Sequence, residues 1–205
     1  MKSDIKAIIF DLGNVLMDWD RAYLYRKMFK GEEEKMTYFL DHVCTLEWNA
    51  ELDKGYPFAR AIEELIPKHP KYEKYIRAYK DRWIEMVPGA LEETVALMAE
   101  LKEQGYSLYA LSNWAAETFP QVCPHYAFFD WFDEIVLSGD IGVTKPDPGI
   151  YQALLNKIPF PPEECVFIDD SLANVQGGEV LGIHGIHFVS VDDLREKLRG
   201  FGVEI

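Results

Sequence analysis

The 205-residue sequence predicts an α/β chain: a parallel sheet with helices on both faces, interrupted once by a helical insertion. Three observations predict it. Short, mainly apolar runs end in polar residues: Ala7 to Phe10 before Asp11, Ser107 to Leu111 before Ser112, Ile135 to Leu137 before Ser138, and Val166 to Ile168 before Asp169. Runs apolar on both faces suit strands covered on both sides, as in parallel sheets. Helix-period segments lie between the later runs, and strand–helix alternation of this kind builds right-handed βαβ units. The interval 18–86 breaks the alternation, with helical patterns and no strand.

In chain order, Ala7 to Phe10 forms the first strand. Tyr23 to Phe29 and Phe58 to Leu65 are helical stretches of the insertion, which Pro57, Pro67 and Pro70 divide. The expected organisation is a core of residues 1–17 and 87–205 with an inserted segment, 18–86. Leu91, Val95, Met98 and Leu101 share a helix face that Gly105 ends. Ile150, Leu154 and Ile158 repeat the pattern behind Pro146 and Pro148; Val175, Glu179 and Leu181 lie in a helix closed by Gly182. His187-Phe188-Val189 is the candidate fifth strand.

Charge and composition exclude several partners. A net charge of −14 without a basic cluster opposes binding to nucleic acid or to an acidic membrane. No apolar run approaches the about 20 residues of a membrane span. Met1-Lys2-Ser3-Asp4 runs straight into the first strand without a signal-type apolar region, so the expected location is the cytoplasm. Cys44, Cys123 and Cys165 are far apart and are expected as free thiols.

In an open parallel sheet the ligand crevice lies at the carboxyl ends of the strands. Those ends here carry Asp11, Ser112-Asn113, Thr144-Lys145-Pro146 and Asp169-Asp170-Ser171. An acid at a strand end is by itself ordinary turn or cap chemistry. Several acids together repel one another unless a cation sits among them, and an all-oxygen set suits Mg²⁺. Lys145 would supply positive charge toward a phosphoryl group, and Ser112 and Asn113 would donate hydrogen bonds to it. A carboxylate nucleophile that forms an aspartyl-phosphate is an established route of phosphoryl transfer. The helix starting near Ser171 would turn its N-terminus to the same crevice.

Taken as a set, these residues resemble the four motifs of the haloacid dehalogenase-like hydrolase superfamily. The motifs are Phe10-Asp11-Leu12-Gly13-Asn14-Val15-Leu16, then Leu111-Ser112-Asn113, then Lys145-Pro146-Asp147-Pro148 with Tyr151, then Phe167-Ile168-Asp169-Asp170-Ser171 with Asn174. The resemblance implies a three-layer Rossmann-like core and an α-helical cap. It implies Asp11 as nucleophile and metal ligand, the Gly13 carbonyl and Asp170 as further Mg²⁺ ligands, and Asp169 behind them or acting through water. Lys145 would steady the charge, and Ser112 and Asn113 would bind the transferring group. The implied substrate is a small phosphorylated metabolite; the Phe-Asp-Leu-Gly-Asn-Val branch resembles sugar-phosphate phosphatases.

One position departs from the pattern. Most phosphatases of the superfamily carry an acid/base aspartate where this chain has Gly13, and general acid–base help is worth about 10²–10⁴-fold. Asp18, Asp20, His125 and residues of the insertion are the candidate substitutes. Two rival readings are a 2-haloacid dehalogenase, which also lacks that aspartate, and a non-catalytic module binding a phosphometabolite or a protein. Asp169 and Asp170 oppose the first, because carbon–halogen displacement needs no metal; Asp11, Lys145 and Asp170 together oppose the second. Other conspicuous residues take plain readings. His184 and His187 lack a third ligand, Trp83 and Tyr79 share a packing face with Ile76, and Glu32-Glu33-Glu34 opens a helix. Trp114 lines the crevice or packs on the insertion, and Trp19, Tyr23 and Trp48-Asn49 are candidates for shaping substrate choice.

Overall fold

The computed structural model describes residues 4–205. Among the described residues, seven strands run in chain order as β1 (Ala7–Phe10), β2 (Met17–Asp18), β3 (Gly89–Ala90), β4 (Ser107–Ser112), β5 (Glu134–Leu137), β6 (Cys165–Asp169) and β7 (His184–His187). Five of them form one sheet in the order β5-β4-β1-β6-β7, and every pairing in it is parallel. The central strand β1 explains the architecture. All four of its side chains are wholly buried, and alternation sends them to opposite faces. Ile8 and Phe10 join a cluster with Leu97, Leu101, Leu194 and Leu198. Ala7 and Ile9 join one with Ile150, Tyr151 and Leu154.

Those partners belong to helices α6 (Glu92–Glu103) and α10 (Val191–Gly200) on one face, and to α8 (Pro148–Leu155) on the other. The core therefore has three layers. Gly105 and Gly182 take the left-handed conformation that ends a helix without a Cβ clash, at φ of 89° and 88°. The shorter helices α7 (Ser138–Ile141) and α9 (Leu172–Glu179) start at the carboxyl ends of β5 and β6.

Between β2 and β3 the chain forms five helices: α1 (Arg21–Phe29), α2 (Glu33–His42), α3 (Leu46–Asp53), α4 (Phe58–Leu65) and α5 (Glu73–Asp81). β2 and β3 pair antiparallel, so the chain leaves and rejoins the core through one small ribbon. Asp20 caps α1 by accepting the Ala22 amide, and Thr45 caps α3 by accepting that of Trp48. An aromatic cluster holds the helices together, with Tyr25 and Phe39 rings 4.7 Å apart and Phe29 stacked on Tyr75 at 4.3 Å.

The fifth strand lies three residues earlier than the sequence reading placed it. It is an edge strand in which only Ile186 is fully buried, so it carries no apolar run; Val189 is 68% exposed. Ile158 is buried, though it lies beyond the end of α8. All three cysteines are free. Among the described residues no helix is long and apolar enough to cross a membrane.

Candidate active site

Register brings the polar strand ends level. Phe10 pairs with Ala110 on one side and Ile168 on the other, so Asp11, Leu111 and Asp169 follow one step on. The Asp11 amide continues the ladder to the Ile168 carbonyl at 2.8 Å. The chain then turns sharply at Asn14, a non-glycine residue with φ of 56°. The Asn14 side chain supports that turn, because its carbonyl accepts the Trp19 amide at 3.1 Å and the side chain also hydrogen-bonds Asp170.

Lys145 is the centre of the floor. Its ammonium group is buried and has three partners for its three hydrogens: the Leu111 carbonyl at 2.8 Å, Asp169 Oδ2 at 2.6 Å and Asp11 Oδ1 at 2.9 Å. Burial alone would make the lysine less basic, but the two carboxylates overcome it and leave the pKa raised. For Asp11, burial dominates and pushes the carboxyl up to about 7, with Asp169 adding to the shift; Lys145 and the Ser112 hydroxyl oppose it. Asp170 is also raised by burial among its neighbours and by Asp169, although its side chain reaches solvent.

The oxygens of Asp11, Asp169 and Asp170 lie within 4.8 Å of one another. Three carboxylates against one ammonium leave an excess of negative charge, which a divalent, oxygen-seeking ion would neutralise. The donor set therefore fits Mg²⁺. The two neighbouring acids are not equivalent. Asp169 is wholly buried, and besides Lys145 it accepts the Ser171 amide at 2.8 Å and the Asn174 amide at 3.0 Å. Asp170 lines the open chamber beside Asp11.

That chamber has a volume of about 520 Å³. Asp11, Gly13, Ser112, Asn113 and Asp170 form its floor, while Trp19, Trp83 and Trp114 contribute to its walls. Leu46, Asn49, Ala50 and Asp53 of α3 close it from the inserted segment, at the spacing of a single helix face. Asp53 is bound to both regions. It accepts the Asn49 amide at 2.7 Å and the backbone N–H of Ala115, and its own carbonyl accepts the Ser138 hydroxyl at 2.5 Å. Burial pushes the Asp53 carboxyl up to about 8, with the charge of Asp11 adding to the shift. The contact is close enough to require glycine: a Cβ on Gly55 would sit 2.7 Å from the Gly139 carbonyl oxygen.

All six residues singled out from the sequence come together here, with some unexpected partners. The Asn113 side chain is turned to the Lys145 backbone, donating to its carbonyl at 3.1 Å and accepting its amide at 2.7 Å. It thus holds Lys145 in place and keeps one amide hydrogen for other partners. Asp18, Asp20 and His125 do not line the chamber; Asp18 accepts the Tyr23 hydroxyl at 2.9 Å, and Asp20 caps α1. Trp83, read as packing, is buried but also lines the chamber, and its ring lies 5.6 Å from that of Trp114. His187 donates to the Asp170 carbonyl at 3.0 Å and His184 to that of Glu163, so both hold loops. Asn14 and Asp53 were missed as site residues. The Asn14 turn has no signal beyond its place in the first motif, and Asp53 is marked only by the helical spacing of the α3 face.

The chain's relatives include the D-ribitol-5-phosphate phosphatase of Bacteroides thetaiotaomicron, 26% identical over 204 residues that cover 95% of this chain and 97% of that protein. The sesquiterpene phosphatase astK of Aspergillus oryzae is 36% identical over 92 residues. That match takes in 45% of this chain and 47% of the fungal protein, so the aligned part spans about half the length of that relative. Among solved structures, the magnesium complex of the HAD family enzyme bt-2542 from Bacteroides thetaiotaomicron superimposes with a TM-score of 0.73 at 25% identity, covering 96% of this chain and all of that one. A family model described as haloacid dehalogenase-like hydrolase matches residues 5–182, and the chain belongs to that family.

Proposed function

We propose that this hydrolase is a Mg²⁺-dependent phosphatase that cleaves a small phosphorylated metabolite through an aspartyl-phosphate on Asp11. The observation that carries the proposal is the floor itself: a buried lysine saturated between two carboxylates, with a third beside them, at the base of a chamber of about 520 Å³. Lys145 and the Leu12 amide both engage Asp11 Oδ1, so Oδ2, held by neither, is the attacking oxygen. It forms a bond to phosphorus as the ester P–O bond breaks, and the departing alkoxide takes a proton from water in the chamber, since Gly13 has no side chain to give one. Water then cleaves the acyl phosphate and frees Asp11.

Asp11, Asp170 and the Gly13 carbonyl would hold the ion. Asp169 stays behind them, because its oxygens already serve Lys145, Ser171 and Asn174. When bound, Mg²⁺ supplies charge neutralisation that lets an anionic carboxylate approach an anionic ester. The Ser112 hydroxyl would bind the transferring group, and Asn113 would hold Lys145 in line while offering its spare amide hydrogen. Residues 18–86 would act as a cap on the core of 1–17 and 87–205, excluding bulk water while the acyl phosphate forms. Dehalogenation does not account for Asp170, an acid that halide displacement leaves without a task.

The relatives' names span a sesquiterpene phosphatase and a D-ribitol-5-phosphate phosphatase, so they leave the alcohol open. A panel of phosphate esters that includes sugar phosphates, assayed with Mg²⁺ and with EDTA, tests the proposal. The expected result is phosphate release with Mg²⁺ that EDTA abolishes and added Mg²⁺ restores. Failure to hydrolyse any ester, or chloride release from 2-chloropropionate in EDTA, would overturn it.

A further inference from the structure

The floor of the chamber accounts for the phosphate, and the remaining walls bear on the alcohol. Trp19, Trp83, Trp114, Leu46 and Ala50 offer aromatic and aliphatic surface. Among the described residues, none that lines the chamber is a lysine, arginine or histidine. Lys145, at the centre of the floor, is buried, with its three hydrogens already bound. Lys54 and Lys80, the lysines of the insertion flanking the α3 face and the chamber wall at Trp83, are exposed and pair with Glu51 and Glu117.

Several polar groups of the roof are already engaged. Asn49 donates to Asp53 and accepts the Tyr79 hydroxyl at 2.5 Å, Asp53 accepts two N–H groups, and the Trp114 indole donates to the Thr118 hydroxyl at 3.1 Å. A second anionic group on the substrate would lose its hydration in this space and find no cation, while facing Asp11 and Asp170. A polyol would find few partners for its hydroxyls on these walls beyond the Trp19 and Trp83 indole N–H groups. An apolar body would gain contact with the indole faces at no such cost. Leu46, 57% exposed at the first turn of α3, carries apolar surface from the chamber out to solvent.

We propose that the substrate is a phosphate monoester of an uncharged, largely apolar alcohol, in which the phosphate is the sole charged group. This rests on the phosphatase reading above and specifies its substrate class. The test compares three esters with Mg²⁺: hexyl phosphate, the same hexyl ester ending in a carboxylate, and a pentose phosphate. Expected kcat/KM for hexyl phosphate exceeds that of the carboxylate-ended ester by about 100-fold or more and that of the pentose phosphate by about 10-fold. Leu46→Lys, which places a cation at the chamber mouth, should narrow the first gap about 10-fold, mainly through KM for the carboxylate-ended ester. Equal turnover of the two hexyl esters, preference for the pentose phosphate, or an unchanged gap in Leu46→Lys would overturn the substrate class and leave the phosphatase standing. No phosphate from any of the three would overturn both.

Discussion

The floor and the roof of the chamber meet across a few ångströms but treat charge in opposite ways. The floor gathers three carboxylates around one lysine, and packing and hydrogen bonds hold Lys145 and Asp169 in place. The roof has aromatic rings, Leu46 and a single carboxyl, Asp53, whose burial keeps it protonated up to about pH 8. Charge is expensive to bury, so a site spends it where a reaction needs it and leaves the remaining wall neutral. On the proposed reading, reaction chemistry falls to the strand ends and substrate choice to the inserted helices.

Removing the floor's one cation should break this balance most severely. Lys145→Met leaves Asp11 and Asp169 facing each other unpaired, with an expected loss of about 3–5 kcal/mol in unfolding free energy. Added Mg²⁺ should recover more stability in the variant than it adds to the parent protein. A loss below about 1 kcal/mol in urea titrations would show that the floor is less charge-balanced than the geometry indicates.

Gly13→Asp tests the next largest effect. A Cβ at Gly13 meets nothing within 4 Å and the backbone there is not left-handed, so the position admits a side chain without backbone strain. It should raise kcat by about 10²-fold for esters of poor leaving groups and change it little for p-nitrophenyl phosphate, which needs no proton donor. Equal effects on both ester types would mean that leaving-group protonation is not what Gly13 lacks.

The third test belongs to the roof and reads a slope with pH. An unfolded aspartate has a pKa of about 3.9, whereas folded Asp53 keeps its proton to about 8. Between those values the folded state holds the extra proton, so Asp53 costs the protein stability as pH rises through this window, and the cost levels off above it. Asp53→Asn removes that slope. The melting temperature of the variant relative to the parent should climb from about pH 5 to about pH 8, and a constant difference would contradict the raised pKa.

The two regions also differ in how far the sequence discloses them. The floor was legible because its residues sit at the ends of apolar runs, and a parallel sheet brings such ends to one edge. Partner choice was not: Asn113 turning to the Lys145 backbone and Asp169 sinking below Asp170 depend on side-chain directions that strand ends do not fix. The roof was less legible, with Trp19, Asn49 and Trp114 picked out and the rest of its face passed over. Leu46, Asn49, Ala50 and Asp53 occupy one face of α3, but their mixed polarity makes no apolar stripe to detect. The edge strand β7 escaped for a related reason, with Ile186 alone fully buried among its four residues.

The central claim is that Asp11 carries the phosphoryl group during turnover. Borohydride reduces an acyl phosphate to an alcohol, so quenching the working enzyme with it and mapping peptides by mass spectrometry reads the attachment point directly. The account predicts that residue 11 is converted to homoserine during turnover with Mg²⁺, and is not converted in EDTA or in Asp11→Asn, which should also lose turnover by about 10⁴-fold or more. An unmodified Asp11 in enzyme trapped while releasing phosphate, or full activity in Asp11→Asn, would contradict it.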